Sequence, residues 1–231
     1  MSESSSVRPT TVKAHVIVAD LDFPSLDDAV AHHLLRVLRL RPGDIITATD
    51  GCGGWRPLRL ADAAGGIEIG GGVEVIPRPS PLLSVAFAIT KGDKPELVVQ
   101  KLTELGIDRI VPFVSERSVV RWEPGKVVRN VERWRSVARE AVQQSRRVWV
   151  PEITDMAELG DLVEGGAARA DFGGSRLAAS TCRFVAVGPE GGWSDSERAL
   201  LSSAVSLGDG VLRAETAAVV AGALLRARWR E

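Results

Sequence analysis

Hydrophobic and polar positions alternate in short runs over roughly the first seventy residues, then give way to longer blocks. Residues 12–18 (VKAHVIV) alternate as a half-buried strand does. Residues 44–49, 55–61 and 67–75 follow, separated by Asp50-Gly51, Gly53-Gly54 and Gly65-Gly66. Short strands divided by glycine turns predict a small barrel or sandwich. One helix interrupts them, at residues 27–40. Its apolar positions Val30, Leu34, Val37 and Leu38 recur at helical spacing, and Arg41-Pro42-Gly43-Asp44 ends it. The segment 76–81 (IPRPSP) holds three prolines, which break both helix and strand, and reads as a linker.

Beyond the linker the rhythm changes. Residues 82–89 form a continuous apolar strand. Asp93 is placed to cap a helix, with Pro95 in the first turn and Glu96 able to reach back; that helix stops at Gly106. A strand is predicted at 107–114. A helix follows over 130–145, with Trp134, Val137, Ala138, Ala141 and Val142 on one face. Residues 183–187 form a strand leading into a glycine loop. A helix follows, with Ser194 as cap and Glu197 three residues on. A short strand over 205–212 and a last helix over 216–229 complete the pattern. Strands alternating with helices predict a mostly parallel α/β sheet. The chain thus divides into a β-rich domain at 1–76 and an α/β domain at 82–231.

Composition excludes several classes. The chain has 231 residues, 45% hydrophobic and 26% charged, which suits packed globular domains and not disorder. Two cysteines, Cys52 and Cys182, and three histidines support neither a disulfide framework nor a zinc site, so no metal is expected. The polar start MSESSSVRPT lacks the core of a signal peptide, and no apolar run reaches membrane-span length. A soluble, cytoplasmic protein is expected. The net charge of -1, taken alone, argues against a nucleic-acid partner, but it is a cancellation. Residues 117–147 carry nine basic residues against three acidic ones. Arg135 and Arg139 lie one helical turn apart, and Gln143 and Arg146 continue the stripe. Such a stripe can grip phosphates, although a run of charge is more often simply a solvated helix face.

Familiar nucleotide and hydrolase motifs are absent: there is no GxxxxGK[ST], GxGxxG, HExxH or GxSxG. Two glycine-containing loops stand out instead. The first, Val187-Gly188-Pro189-Glu190-Gly191-Gly192-Trp193, falls at the carboxyl end of a strand, where α/β proteins bind ligands. It is equally readable as a tight strand-to-helix connection with an exposed Glu190. The second, 207–217 (LGDGVLRAETA), also joins a strand to a helix. There Glu215 and Thr216 could cap the helix, while Arg213 could balance Glu190 or Glu215 or reach a polar ligand. Two such loops within thirty residues favour a shared pocket. His32 and His33 read as one packed and one wet histidine, with Arg36, Arg39 and Arg41 as candidates for RNA contact.

Five segments in this order carry a resemblance: HHLLRVLRLRPGD (32–44), the block ITKGDKPELVVQKLTELGIDRIVPFVSERSVVR (89–121), AREAVQQSRR leading into VPEI (138–153), VGPEGGWSDSE (187–197) and LGDGVLRAETA (207–217). The chain resembles the 16S ribosomal RNA uridine N3-methyltransferases of the SPOUT superfamily (the RsmE type) over nearly its whole length. The resemblance implies an N-terminal PUA-like β-barrel that binds RNA. A SPOUT α/β domain would follow, its C-terminal trefoil knot at roughly 183–231; knots are otherwise almost absent from proteins. It implies S-adenosylmethionine as cofactor, a homodimer, and uridine 1498 of 16S RNA in the 30S subunit as target. Carried onto this chain, the cofactor pocket comprises Gly188, Pro189, Glu190, Gly191, Gly192, Leu207, Gly208, Val211, Leu212, Arg213, Glu215 and Thr216. Glu190 and Arg213 are the candidate catalytic side chains. Candidate RNA contacts are Arg36, Arg39, Lys91, Lys101, Arg117, Arg135, Arg139, Gln144, Ser145 and Arg146. Ala217, Ala218, Ala221 and Gly222 would permit close helix packing in the dimer.

The sequence departs from the family pattern at Gln143, where a Glu is common, and at Asp209-Gly210 in place of a Pro-Arg pair. Residues 169–183 match poorly. Two further readings stay open: a related enzyme acting on another RNA such as tRNA, and a non-catalytic RNA-binding ribosome assembly factor.

Overall fold

The computed structural model describes residues 8–120 and 122–229, so the polar start and Arg121 lie largely or wholly outside the described residues. The described chain separates into two compact units. One comprises residues up to Arg78 together with 142–150; the other comprises 79–141 and the residues from 151 onward.

The first unit is a five-stranded sheet. Strand β1 (His15–Ile17) pairs in parallel with β2 (Ile45–Thr49), which is antiparallel to β3 (Gly54–Leu60). Strands β4 (Ile67–Ile69) and β5 (Glu74–Val75) both pair with β3. The single strand expected over 67–75 is therefore two, because Gly70-Gly71-Gly72 interrupts the ladder. The sheet's core is Val16, Ile46, Ala48, Leu58 and Leu60, closed by Leu34 and Leu40. Helix α1 (Asp28–His32) is capped by Asp27, whose carboxyl accepts from the Val30 amide, and widens into a π-turn at His33–Val37. It ends one residue short of Arg39, which has a left-handed φ of 55°. His32 and His33 are both exposed, contrary to the expectation that one would pack.

The packed histidine is His15. Its Nε2 lies 2.9 Å from the Arg147 carbonyl and its Nδ1 2.7 Å from Thr47 Oγ1. A carbonyl can only accept, so the neutral ring carries its proton on Nε2. Burial pushes the His15 pKa down to about 4; the Arg147 carbonyl partly opposes this and the nearby Arg146 charge reinforces it. The unfolded chain therefore binds a proton on this ring that the folded chain refuses. The contribution is present above the unfolded value near 6.5 and is lost as pH falls towards 4, on the order of 3 kcal/mol in all. In urea titrations between pH 6.5 and 4.5, the wild type should lose stability more steeply than His15→Asn. Parallel curves would refute it.

The second unit is built on a six-stranded, all-parallel sheet in the order β11-β9-β10-β6-β7-β8. These strands are β6 (Ser84–Ala88), β7 (Arg109–Phe113), β8 (Glu152–Ile153), β9 (Ala168–Arg176), β10 (Phe184–Val187) and β11 (Ala204–Ser206). Central strands buried on both faces explain the unbroken apolar runs at 82–89 and 183–187. Helices α2 (Lys94–Leu105), α3 (Pro124–Ser145), α4 (Leu159–Glu164) and α5 (Asp195–Leu200) connect the strands, and α6 (Ala214–Arg228) follows the last of them. Phe87, Val99, Leu102, Ile110, Trp134, Val185 and Leu225 belong to the largest buried cluster.

Several expectations change here. Helix α3 begins at Pro124, six residues before the predicted start. Asp93 precedes α2 but makes no side-chain cap bond, and Glu96 bonds instead to Arg133. Gly106 ends α2 as expected, with a left-handed φ of 80°. The last strand spans only three residues, because the following glycines leave the ladder. Helix α6 starts at Ala214 after Arg213, which makes no side-chain cap bond; Glu215 lies in its first turn, so neither Glu215 nor Thr216 caps it. Ala218, Ala221 and Gly222 are buried against the same chain. A Cβ on Gly222 would sit 2.5 Å from Leu102, so these three serve packing within the chain, while Ala217 is half-buried beside the pocket. Among the described residues no helix is long and apolar enough to cross a membrane, and no cluster of metal-ligating side chains occurs.

Candidate functional site

The carboxyl ends of β10 and β11 open into one pocket of about 230 Å³. The first glycine loop contributes Val187, Gly188, Pro189, Glu190, Gly192 and Trp193. The second contributes Leu207, Gly208, Gly210, Val211, Leu212 and Ala214, with Ser206 and Ala217 beside them. A third wall, unforeseen in the sequence, comes from β9: Ala170, Asp171 and Phe172. Of the twelve predicted cofactor residues, eight line this pocket. Gly191, Arg213, Glu215 and Thr216 do not.

Local physics explains each wall. The indole of Trp193 is buried, stacks on Phe113 at 5.9 Å and donates to the Ala170 carbonyl at 3.0 Å. It fills the space behind Gly188, where a Cβ would meet it at 2.9 Å, so this strand end requires glycine. Ser194 and Glu197 form the predicted reciprocal cap of α5. Glu197 does more than cap. Its buried carboxyl also accepts from Ser115 Oγ at 2.7 Å and from the Glu116 amide at 3.0 Å, tying the loop after β7 to the first glycine loop. Ser196 Oγ donates to Glu116 at 2.7 Å, and Arg117 donates to the Gly191 carbonyl at 3.2 Å. Those bonds hold Gly191 outward, against the Arg117 side chain.

The partner of Glu190 is Lys94, from the start of α2, and not Arg213. Lys94 Nζ lies 2.8 Å from Glu190 and 3.4 Å from Glu215. The bond to Lys94 outweighs partial desolvation and holds the Glu190 carboxyl below the usual glutamate range. The two carboxylates in turn push the Lys94 ammonium up, Glu190 being the stronger. Arg213 is exposed between the lining residues Leu212 and Ala214. The lysine lies some hundred residues from both carboxylates in sequence, so spacing could not reveal it.

The candidate RNA contacts divide into exposed side chains and side chains already engaged. Arg36, Arg39, Lys91, Arg117, Arg139 and Gln144 are exposed. Arg135 is tied to Glu132, Asp155 and the Ile153 carbonyl. Lys101 pairs with Glu104. Arg146, with φ 58°, donates to the Thr10 carbonyl, and Ser145 is half-buried. The predicted arginine stripe is thus partly spent on internal bonds.

An all-parallel sheet with a peptide-walled pocket at its strand ends defines the class, an α/β protein built to hold a small molecule there. The RNA methyltransferase domain model matches residues 78–226, and the RNA methyltransferase PUA domain model matches residues 26–69. The chain belongs to the RNA methyltransferase family that the first of these describes. Among its relatives, the ribosomal RNA small subunit methyltransferase E of Synechocystis is 34% identical over 88% of this chain and 72% of its own length. The Mycobacterium tuberculosis protein of the same name is 31% identical over 88% and 87%. A putative methyltransferase from Legionella pneumophila, solved with bound SAM, superposes with TM-score 0.79 at 28% identity, covering 92% of this chain and 96% of that one. A ribosomal RNA small subunit methyltransferase E from Neisseria gonorrhoeae, bound to S-adenosyl methionine, gives TM-score 0.78 at 27% identity over 94% and 98%.

Proposed function

We propose that this chain transfers a methyl group from S-adenosylmethionine to N3 of uridine 1498 in 16S ribosomal RNA of the 30S subunit. The observation that carries this reading is the meeting of both glycine loops in one pocket, in a chain whose similar structures from Legionella and Neisseria hold S-adenosylmethionine. The residues fit that cofactor. Peptide groups at Gly188, Leu207 and Gly208 can meet the hydrogen-bonding edge of an adenine. Val187, Leu212 and Ala217 suit its apolar parts. On this reading the finer architecture follows the family: the five-stranded unit is a PUA-like barrel that engages RNA, and residues from about 183 onward form a trefoil knot. The protein works as a cytoplasmic homodimer, with domains at 1–76 and 82–231.

The chemistry supplied in the pocket is an electrophilic methyl group on a sulfonium. The protein's own part is alignment and proton handling. Glu190 accepts the hydrogen on N3, which must leave as the N–C bond forms, and Lys94 keeps that carboxyl ionised and in place. Arg213, exposed beside the pocket lining, faces the negative charge that develops on the uridine oxygens or an adjoining phosphate. The target base leaves its stack to enter.

The test uses purified protein, labelled S-adenosylmethionine and 30S subunits lacking the modification, followed by mapping of the labelled nucleotide. Label at N3 of uridine 1498 supports the reading. Label in tRNA, or cofactor binding without transfer, overturns it in favour of another RNA target or an assembly factor.

A further inference from the structure

Strand β9 contains an excursion. Its Arg169 pairs with Ala204 of β11, yet the next pair in register is Ser175 with Val205. Residues 170–174 therefore leave the β9–β11 ladder and bulge to the pocket. Bulges of this kind re-aim side chains beside active sites.

The excursion is anchored at its base. Asp171 is nearly buried and accepts from Arg169 at 3.1 Å and from Arg198 of α5. Its second oxygen accepts from the Phe172 amide at 2.9 Å. Gly173 then turns the chain with φ 77°. The product is a phenylalanine fixed at its backbone, lining the pocket, with 62% of its surface exposed. Val211, 87% exposed, lines the same pocket from the second glycine loop.

An exposed phenyl ring held this way has a face to offer and no hydrogen bond to make. A base drawn out of an RNA stack needs a replacement surface, and aromatic rings supply it. Two aromatic side chains line the pocket among the described residues. Trp193 is buried and already stacked on Phe113. Phe172 is the one whose face is open.

We infer that Phe172 is a stacking platform for the pyrimidine base that enters the pocket. This rests on the functional reading above and adds the subsite that positions the substrate. A stacked base is worth about ten- to a hundredfold in affinity. Phe172→Ala should therefore lower kcat/KM on 30S subunits by about that factor, mainly through KM, while Phe172→Trp retains activity within about threefold. Cofactor affinity by calorimetry and mass by light scattering should match the wild type in both variants. An active wild type with an equally active Phe172→Ala overturns the subsite alone. So does a parallel loss of cofactor affinity, which would place the ring against cofactor, or a fall in mass, which would place it against a second copy. A wild type that transfers no methyl group overturns the functional reading and this inference with it.

Discussion

Glu190→Gln should reduce turnover by about a hundredfold or more, with cofactor affinity changed far less. General-base assistance is worth about 10²–10⁴ in rate, and the amide keeps the shape while losing the ability to take a proton. The lysine makes the prediction sharper. Because Lys94 holds Glu190 below the usual glutamate range, the group stays ionised well into mild acid, and turnover should be flat from neutrality downward until that carboxyl protonates. Lys94→Met removes the bond and leaves Glu190 facing Glu215 without an intervening cation. The pKa of Glu190 then rises, and the acid limb of the pH–turnover profile moves upward. Single-turnover kinetics across pH measure both effects. Full turnover in Glu190→Gln, or an acid limb unmoved in Lys94→Met, would remove Glu190 from the proton path.

Glu197→Ala should strongly destabilise the α/β unit. The side chain is 1% exposed and takes hydrogen bonds from Ser115 Oγ, the Glu116 amide and the Ser194 amide. Truncation leaves three donors without their acceptor in a dry site. Hydrogen bonds to a charged group are worth about 1.5–3 kcal/mol each, so a loss of roughly 4 kcal/mol is expected after relaxation. For a chain of this size that lowers the melting temperature by about 10 °C. Activity should fall as well, since the loop carrying Arg117 loses its tie to the glycine loop. Thermal unfolding by circular dichroism decides it: a shift below about 2 °C would show that the network contributes little.

How far the sequence revealed this arrangement depends on the range of each interaction. The Ser194–Glu197 cap, the Gly106 stop and the apolar run of β6 are set within a few residues, and each was readable. Both glycine loops were visible because backbone that must approach a ligand closely leaves glycine behind. The third wall was not. Asp171 and Phe172 sit in a stretch without alternation, and their position depends on a register jump between strands. Lys94 was hidden for a similar reason, because its partners Glu190 and Glu215 lie some hundred residues further along the chain. Arg135 and Arg146 looked like free cations in the pattern, but each is engaged by main chain or carboxylates far away in sequence. The small residues of α6 signalled close packing, and Gly222 provides it against Leu102 of α2.

The membership of residues 142–150 in the first compact unit has a consequence for synthesis. The His15 ring needs the Arg147 carbonyl; the Gly53 amide and the Thr49 hydroxyl use that of Val148; and the Val150 amide reaches Gly51. None of these partners exists when Arg78 leaves the ribosome. A fragment ending there would expose those groups, and in the growing chain they wait for about seventy further residues. The small unit begins before the larger one in the chain but completes its bonding only after most of the larger unit's first half has been made. Its folding is thereby timed by its neighbour's translation.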